Sequence, residues 1–96
     1  MPYKQLAYSK YNATKKKLPD ALRMELSRQE DSVAENPFQG EAKKGDLQRV
    51  WVHKFRFLQQ EYLLAYEIDK AQQAVIFLVI GGHQNFYSEL KRYLKS

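Results

Sequence analysis

His83 and Tyr87 are the residues in this sequence whose types and spacing most directly suit chemistry. Four positions apart, they share a face if a helix has already begun at His83, and their side chains can then meet at one site. An imidazole of ordinary pKa, about 6.5, takes up or releases a proton near neutrality. The plainer alternative is that His83 caps a terminal helix and Tyr87 packs against a sheet. The other histidine, His53, is flanked on its face by Trp51 and Phe55 and reads as a packed side chain rather than a catalytic one. The two histidines make no metal site, because no carboxylate lies at ligand spacing to either on a common element. With no cysteine in the chain, a disulfide frame, a thiolate zinc site and a cysteine nucleophile are all excluded, which fits a reducing compartment.

Cations supply a second kind of chemistry. Sixteen Lys and Arg against 11 Asp and Glu give a net charge of +5. They fall in four clusters: Lys10 with Lys15, Lys16 and Lys17; Lys43 with Lys44; Lys54 with Arg56; and Lys91 with Arg92 and Lys95. An acid-rich segment holding Asp20, Glu25, Glu30, Asp31 and Glu35 separates the first two. Gathered on one side of a fold, the clusters attract a polyanion, either nucleic acid or an acidic protein. Scattered, they are solvated faces.

The elements that must position these groups are legible around Ala74 to Ile80. Seven apolar residues rich in β-branched types and stopped by Gly81-Gly82 suit a strand covered on both faces. A membrane span needs about 20 such residues, so no membrane partner is expected. The N-terminus, Met1 to Gln5, lacks the apolar core of a signal peptide, and a cytoplasmic location follows as the default. Ninety-six residues, 44% hydrophobic and 14% aromatic, are one domain's worth of chain with enough apolar surface for a single core.

In chain order, Tyr3 to Tyr8 reads as an edge strand, and Ser9 as the N-cap of a short basic helix running to about Lys17. Leu18-Pro19-Asp20 breaks it and opens a second helix carrying Leu22, Leu26, Gln29 and Val33 on one side, which ends at Asn36-Pro37. Phe38 to Asp46 reads as a loop. Leu47 to Leu58 is a strand on which Trp51, His53, Phe55 and Phe57 alternate with Val50, Val52, Lys54 and Arg56. Gln59-Gln60 turns into a strand with Tyr62, Leu64, Tyr66 and Ile68 on one face and Glu61, Leu63, Ala65 and Glu67 on the other. Asp69 to Gln73 leads to the buried strand, and Asn85 reads as the cap of a last helix with Leu90 and Leu94 on its apolar side. The expected architecture is a single α+β domain over 1–96. An antiparallel sheet, made of a short N-terminal strand and a three-stranded meander, is packed by an N-terminal helical hairpin and followed by a C-terminal helix.

Several stretches together carry a resemblance: Leu18-Pro19 through Asn36-Pro37-Phe38-Gln39-Gly40, Lys54-Phe55-Arg56-Phe57, Glu61 through Asp69, and Ile80-Gly81-Gly82-His83-Gln84-Asn85-Phe86-Tyr87. In succession, and in a small basic chain, they resemble the RelE/ParE toxins of bacterial type II toxin–antitoxin pairs, over nearly the whole length. The resemblance implies a growth-inhibitory protein neutralised by a cognate antitoxin in a hetero-oligomeric complex, with no cofactor and no metal. It leaves two targets open, since RelE-like members cut messenger RNA on the ribosome and ParE-like members poison DNA gyrase, and one fold hosts both. A member that has lost toxicity is a third outcome.

For RNA cleavage, a ribose 2′-hydroxyl must lose a proton, a pentavalent phosphate must be held by cations, and a 5′-oxygen must gain a proton. Lys54 and Arg56 match the basic strand positions of RelE-like toxins, and Lys43 and Lys44 add phosphate-binding charge. His83, Tyr87 and Glu61 are the candidate proton carriers. Leu63 departs from the pattern, because RelE-like ribonucleases commonly place arginine after the tyrosine of this strand. On balance His83 and Tyr87 together tilt the expectation toward RNA.

Overall fold

The computed structural model describes residues 2–47 and 49–95, and for 46, 85 and 95 the backbone only. Five strands form one sheet: β1 (Lys4–Ala7), β2 (Glu41–Ala42), β3 (Trp51–Phe57), β4 (Gln60–Asp69) and β5 (Ala74–Gly81), in the order β1-β5-β4-β3-β2. Helices α1 (Ser9–Lys16) and α2 (Asp20–Glu35) follow β1, and α3 (His83–Lys95) follows β5. The α+β architecture and the β3–β4–β5 meander are as the sequence pattern predicts, but the sheet is mixed. β1 lies parallel to β5, with Lys4 opposite Ala74 and Ala7 opposite Phe77, so the expected all-antiparallel sheet fails at this one edge. A pairing between opposite ends of the chain leaves no local signal of its direction.

Period-two alternation sorts the side chains onto two faces. Toward α1 and α2 the sheet turns Phe55, Leu64, Tyr66, Val75, Phe77 and Ile80, packed with Tyr11, Leu22, Leu26 and Val33. Toward α3 it turns Val50, Val52, Leu63, Ala65, Leu78 and Val79, packed with Phe86 and Leu90. The apolar run of β5 is thus buried on both sides. A bulge interrupts its alternation: Ala65 pairs with Val79 and Tyr66 with Phe77, so Leu78 is left without an opposite residue. Leu78 and Val79 both face α3 as a result, and Ile80 swings back to the other side.

Four local expectations shift. Ser9 is the first residue of α1, and Tyr8 holds the cap position without a side-chain cap bond. The stretch after Asn36 is not a plain loop but two short 3-10 turns around β2. The strand expected from Leu47 begins only at Trp51, since Leu47 closes a 3-10 turn and Arg49 has φ of 81°. Asn85 lies inside the first turn of α3 rather than ahead of it, and its side chain is outside the described residues.

The β3–β4 hairpin turns through Leu58 and Gln59, with φ of 49° and 67°. Phe57 pairs with Gln60, so these two residues form the whole loop. Such a loop wants positive φ at both positions, which Asn-Gly supplies cheaply and Leu-Gln does not. Leu58 is also 82% exposed and gains little from burial. Replacing Leu58-Gln59 by Asn-Gly raises the unfolding free energy by about 1 kcal/mol, read as a higher urea midpoint at unchanged slope.

Candidate active site

The alternation that buries Val52 also decides where the charged groups go. On β3, Lys54 and Arg56 continue the α3-facing side of Val52, beyond the reach of α3 itself, and both are exposed. Glu41 lies opposite Val52 and so shares that side, as does Lys43 two residues on. On β4, Glu61 lies opposite Arg56. Leu63 pairs with Gly81, and extending that register by two residues brings position 83 opposite Glu61. One sheet face thus gathers two carboxylates, three cations and the start of α3.

His83 is the first residue of α3, as its spacing to Tyr87 requires, and its Nε2 is hydrogen-bonded to Glu61 Oε1. A carboxylate only accepts, so Nε2 carries the proton and donates, leaving Nδ1 as the open ring nitrogen. The His83 hydrogen bond, reinforced by the charges of His83, Lys54 and Arg56, holds the Glu61 carboxyl below the ordinary glutamate range. Both partners are reachable from solvent, at 55% and 34% side-chain exposure. Glu61 is thus a partly exposed strand-end acid paired with an accessible imidazole, and the hydrogen bond sets which ring nitrogen carries the proton.

One turn along α3, on the same face as His83, Tyr87 is packed against the Val52 and Leu63 cluster and stands edge-on to Phe86 at 5.0 Å. Lys43 Nζ lies 5.4 Å from the centre of the Tyr87 ring and is ion-paired with Glu41. Its pKa is raised, chiefly by the Glu41 hydrogen bond and further by the Tyr87 hydroxyl. Glu41 is held low by Lys43 and, at longer range, by Lys54. Lys54 therefore sits between the Glu41–Lys43 pair and the Glu61–His83 pair.

Of the residues singled out in the sequence, His83, Tyr87, Glu61, Lys54, Arg56 and Lys43 are brought to this one face. Lys44 is exposed and is not among the groups that act on Glu61 or Lys43. His53 faces the helical hairpin, where Nε2 is 2.8 Å from Gln29 Oε1 and burial pushes its pKa down. It is packed, as its aromatic neighbours suggest. Glu41 is the participant that sequence reasoning misses. Its signal, a carboxylate two residues before Lys43, has meaning only once the two-residue strand β2 is known. Among the described residues no three His, Asp or Glu cluster as a metal site, and no helix is long and apolar enough to cross a membrane.

A sequence model for the ParE-like toxin of type II bacterial toxin–antitoxin systems matches residues 6–91. The chain belongs to this family. No curated protein sequence matches it. Among solved structures, the ParE-like toxin is similar in fold to a doubly arginine-to-alanine substituted RelE from E. coli in the free state. The TM-score is 0.79 at 19% identity, covering 99% of this chain and 97% of that one. The toxin–antitoxin complex RelBE2 from Mycobacterium tuberculosis gives a TM-score of 0.77 at 18% identity, with 86% and 93% covered. The same doubly substituted RelE bound to a peptide of the antitoxin RelB gives 0.71 at 22% identity, with 94% and 95% covered. The common fold carries no residue roles at such identities.

The position of Leu63 acquires a physical meaning in this fold. It is wholly buried between β4 and α3, packed with Phe86 and Leu90. In this ParE-like toxin the position serves the core, and the exposed cations nearest it are Lys54, its partner across the β3–β4 ladder, and Arg56.

Proposed function

We propose that this toxin is an endoribonuclease that cuts messenger RNA on the ribosome and is neutralised by a cognate antitoxin in a hetero-oligomeric complex. The observation that carries the reading is the Glu61–His83 hydrogen bond, which sets an accessible imidazole within a cationic face. His83 Nδ1 takes the proton of a ribose 2′-hydroxyl as its oxygen attacks the adjacent phosphorus. Lys54 and Arg56 hold the pentavalent phosphate that forms. The bond to the 5′-oxygen breaks as that oxygen takes a proton from the Tyr87 hydroxyl, and Lys43 stabilises the phenolate left behind. The products are a 2′,3′-cyclic phosphate and a free 5′-hydroxyl. Glu61 steadies the imidazolium between the two transfers, the role a carboxylate plays behind a histidine base. No cofactor or metal is required.

A second reading, a gyrase poison without nuclease activity, is favoured by the match to the ParE-like family model. The buried Leu63, where the family's ribonucleases commonly carry arginine, weakens the nuclease reading without by itself supporting the poison. Induced expression with parallel pulse-labelling of protein and DNA synthesis separates the two. Arrest of protein synthesis first, with cleaved messenger RNA, is the expected result. DNA damage while translation continues identifies the gyrase poison, and unchanged synthesis of both identifies a member without toxicity.

A further inference from the structure

β1 covers β5 only as far as Phe77, the last carbonyl to which the departing chain donates, through Tyr8 N–H. From Leu78 to Gly81 the edge of β5 away from β4 runs on with no strand beside it among the described residues, and α1 and α3 stand on either side of the gap. The result is a groove of about 400 Å³, within the range of sites that enclose a small organic group. Lys10 and Thr14 line it from α1, and Gln84 and Tyr93 from α3. Lys10 Nζ lies 5.3 Å from the centre of the Tyr93 ring, so one wall joins an aromatic surface to a cation.

One end of the groove lies at the start of α3, next in the chain to the candidate active site, whose own side chains do not line it. Gln60 and Gln84 line it, and they are the chain neighbours of Glu61 and His83. Between them lies Gly82, so close under Gln60 that a Cβ there would stand 3.2 Å from Gln60 Nε2. Each carboxamide offers both donors and an acceptor, and a bare strand edge offers N–H and C=O groups. This is what single-stranded RNA recognition uses: an unstacked base laid on an aromatic wall and hydrogen-bonded along its edge.

We infer that the groove between α1, the free edge of β5 and α3 is a subsite for one unpaired nucleobase of the strand being cut, next to the scissile phosphate. The inference rests on the nuclease reading for its place in catalysis, but its binding chemistry can be tested alone. In backbone amide NMR titrations with AMP, GMP, CMP, UMP and ribose 5-phosphate, the nucleotides shift Thr14, Leu78 and Ile80. Ribose 5-phosphate shifts only the neighbourhood of Lys54, Arg56 and His83. Thr14→Trp, an exposed change that fills the groove, weakens the base-dependent binding at least tenfold and leaves the ribose 5-phosphate response unchanged. If nucleotides and ribose 5-phosphate shift the same residues, or Thr14→Trp leaves nucleotide binding unaltered, the subsite is refuted. A cleavage assay keeps the two ideas apart. Nucleotide binding in the groove without RNA cleavage upholds the subsite and rejects the nuclease. Cleavage by wild type whose distribution of bases at the cut is unchanged in Thr14→Trp does the reverse.

Discussion

His83→Ala lowers ribosome-dependent RNA cleavage by about 100-fold or more, the scale of a lost general acid–base group, and leaves thermal unfolding essentially unchanged. The second half follows from position, since His83 is a helix-start residue with more than half of its side chain in solvent and supports no core contact. Glu61→Gln separates orientation from charge. A glutamine oxygen can still accept from Nε2–H, so the imidazole keeps its aim, but it no longer stabilises the imidazolium. The expected loss is smaller than for His83→Ala and falls on turnover rather than on RNA affinity. The pH dependence has a definite sign. Glu61 must be ionised to act, and its pKa is held below the ordinary glutamate range by His83, Lys54 and Arg56. Its contribution is therefore present throughout the neutral range and is lost only as pH falls below that range. In Lys54→Met the pKa of Glu61 moves back up, read by NMR titration of its side-chain carboxyl rather than from the rate profile, whose acid limb reflects the need for an unprotonated His83. Rates from single-turnover cleavage, set beside melting curves, check the rest. An inactive His83→Ala that also melts early would place His83 in the fold rather than in the chemistry.

Gly40→Ala destabilises the protein by about 2–3 kcal/mol, the range of overpacking in a closed site. The backbone at Gly40 is ordinary, with φ of −75° and ψ of −177°, so conformational strain is not the cause. Space is. A Cβ at Gly40 would stand 2.5 Å from Tyr66 Oη and 2.9 Å from the carbonyl oxygen of Val52. Tyr66 is fully buried and donates its hydroxyl to the carbonyl of Pro37, and burial raises its pKa to about 12. The methyl group must break that bond, leaving a buried hydroxyl unpaired, or push the segment away from β3. Adding Tyr66→Phe to Gly40→Ala removes the first contact and not the second, so it restores part of the loss. Urea unfolding of both variants, followed by circular dichroism, measures this. The displaced segment also carries Glu41 and Lys43, so Gly40→Ala moves Lys43 off Tyr87 and lowers cleavage beyond what the unfolded fraction explains.

The two expectations together show what kind of information each level of structure holds. Binary patterning already places Lys54 and Arg56 on one face of β3 with the Trp51–Phe57 stripe on the other, and Glu61 with Leu63 on one face of β4, because strand alternation is a local property of the backbone. The register between the strands is what makes the two polar faces one. The spacing of His83 and Tyr87 anticipates a shared helical face for the same reason. The resemblance to RelE/ParE toxins rests on motifs spread along the chain, and the match of the family model to residues 6–91 agrees with it. The cap falls at Tyr8 rather than Ser9 and the strand begins at Trp51 rather than Leu47, where local signals compete. β2 has only two residues, too few to show a period.

Residue types, alternation and helical spacing thus determine by themselves an α+β domain with a cationic strand face and a histidine at the head of its last helix. Only the tertiary structure decides that β1 runs parallel to β5, that Glu61 is the partner of His83, that Glu41 and Lys43 join Tyr87, and that Leu63 is core. Each of these is a pairing between elements distant in the chain. It is fixed by register and by which face of the sheet a helix covers, and neither quantity is written in any one stretch of sequence.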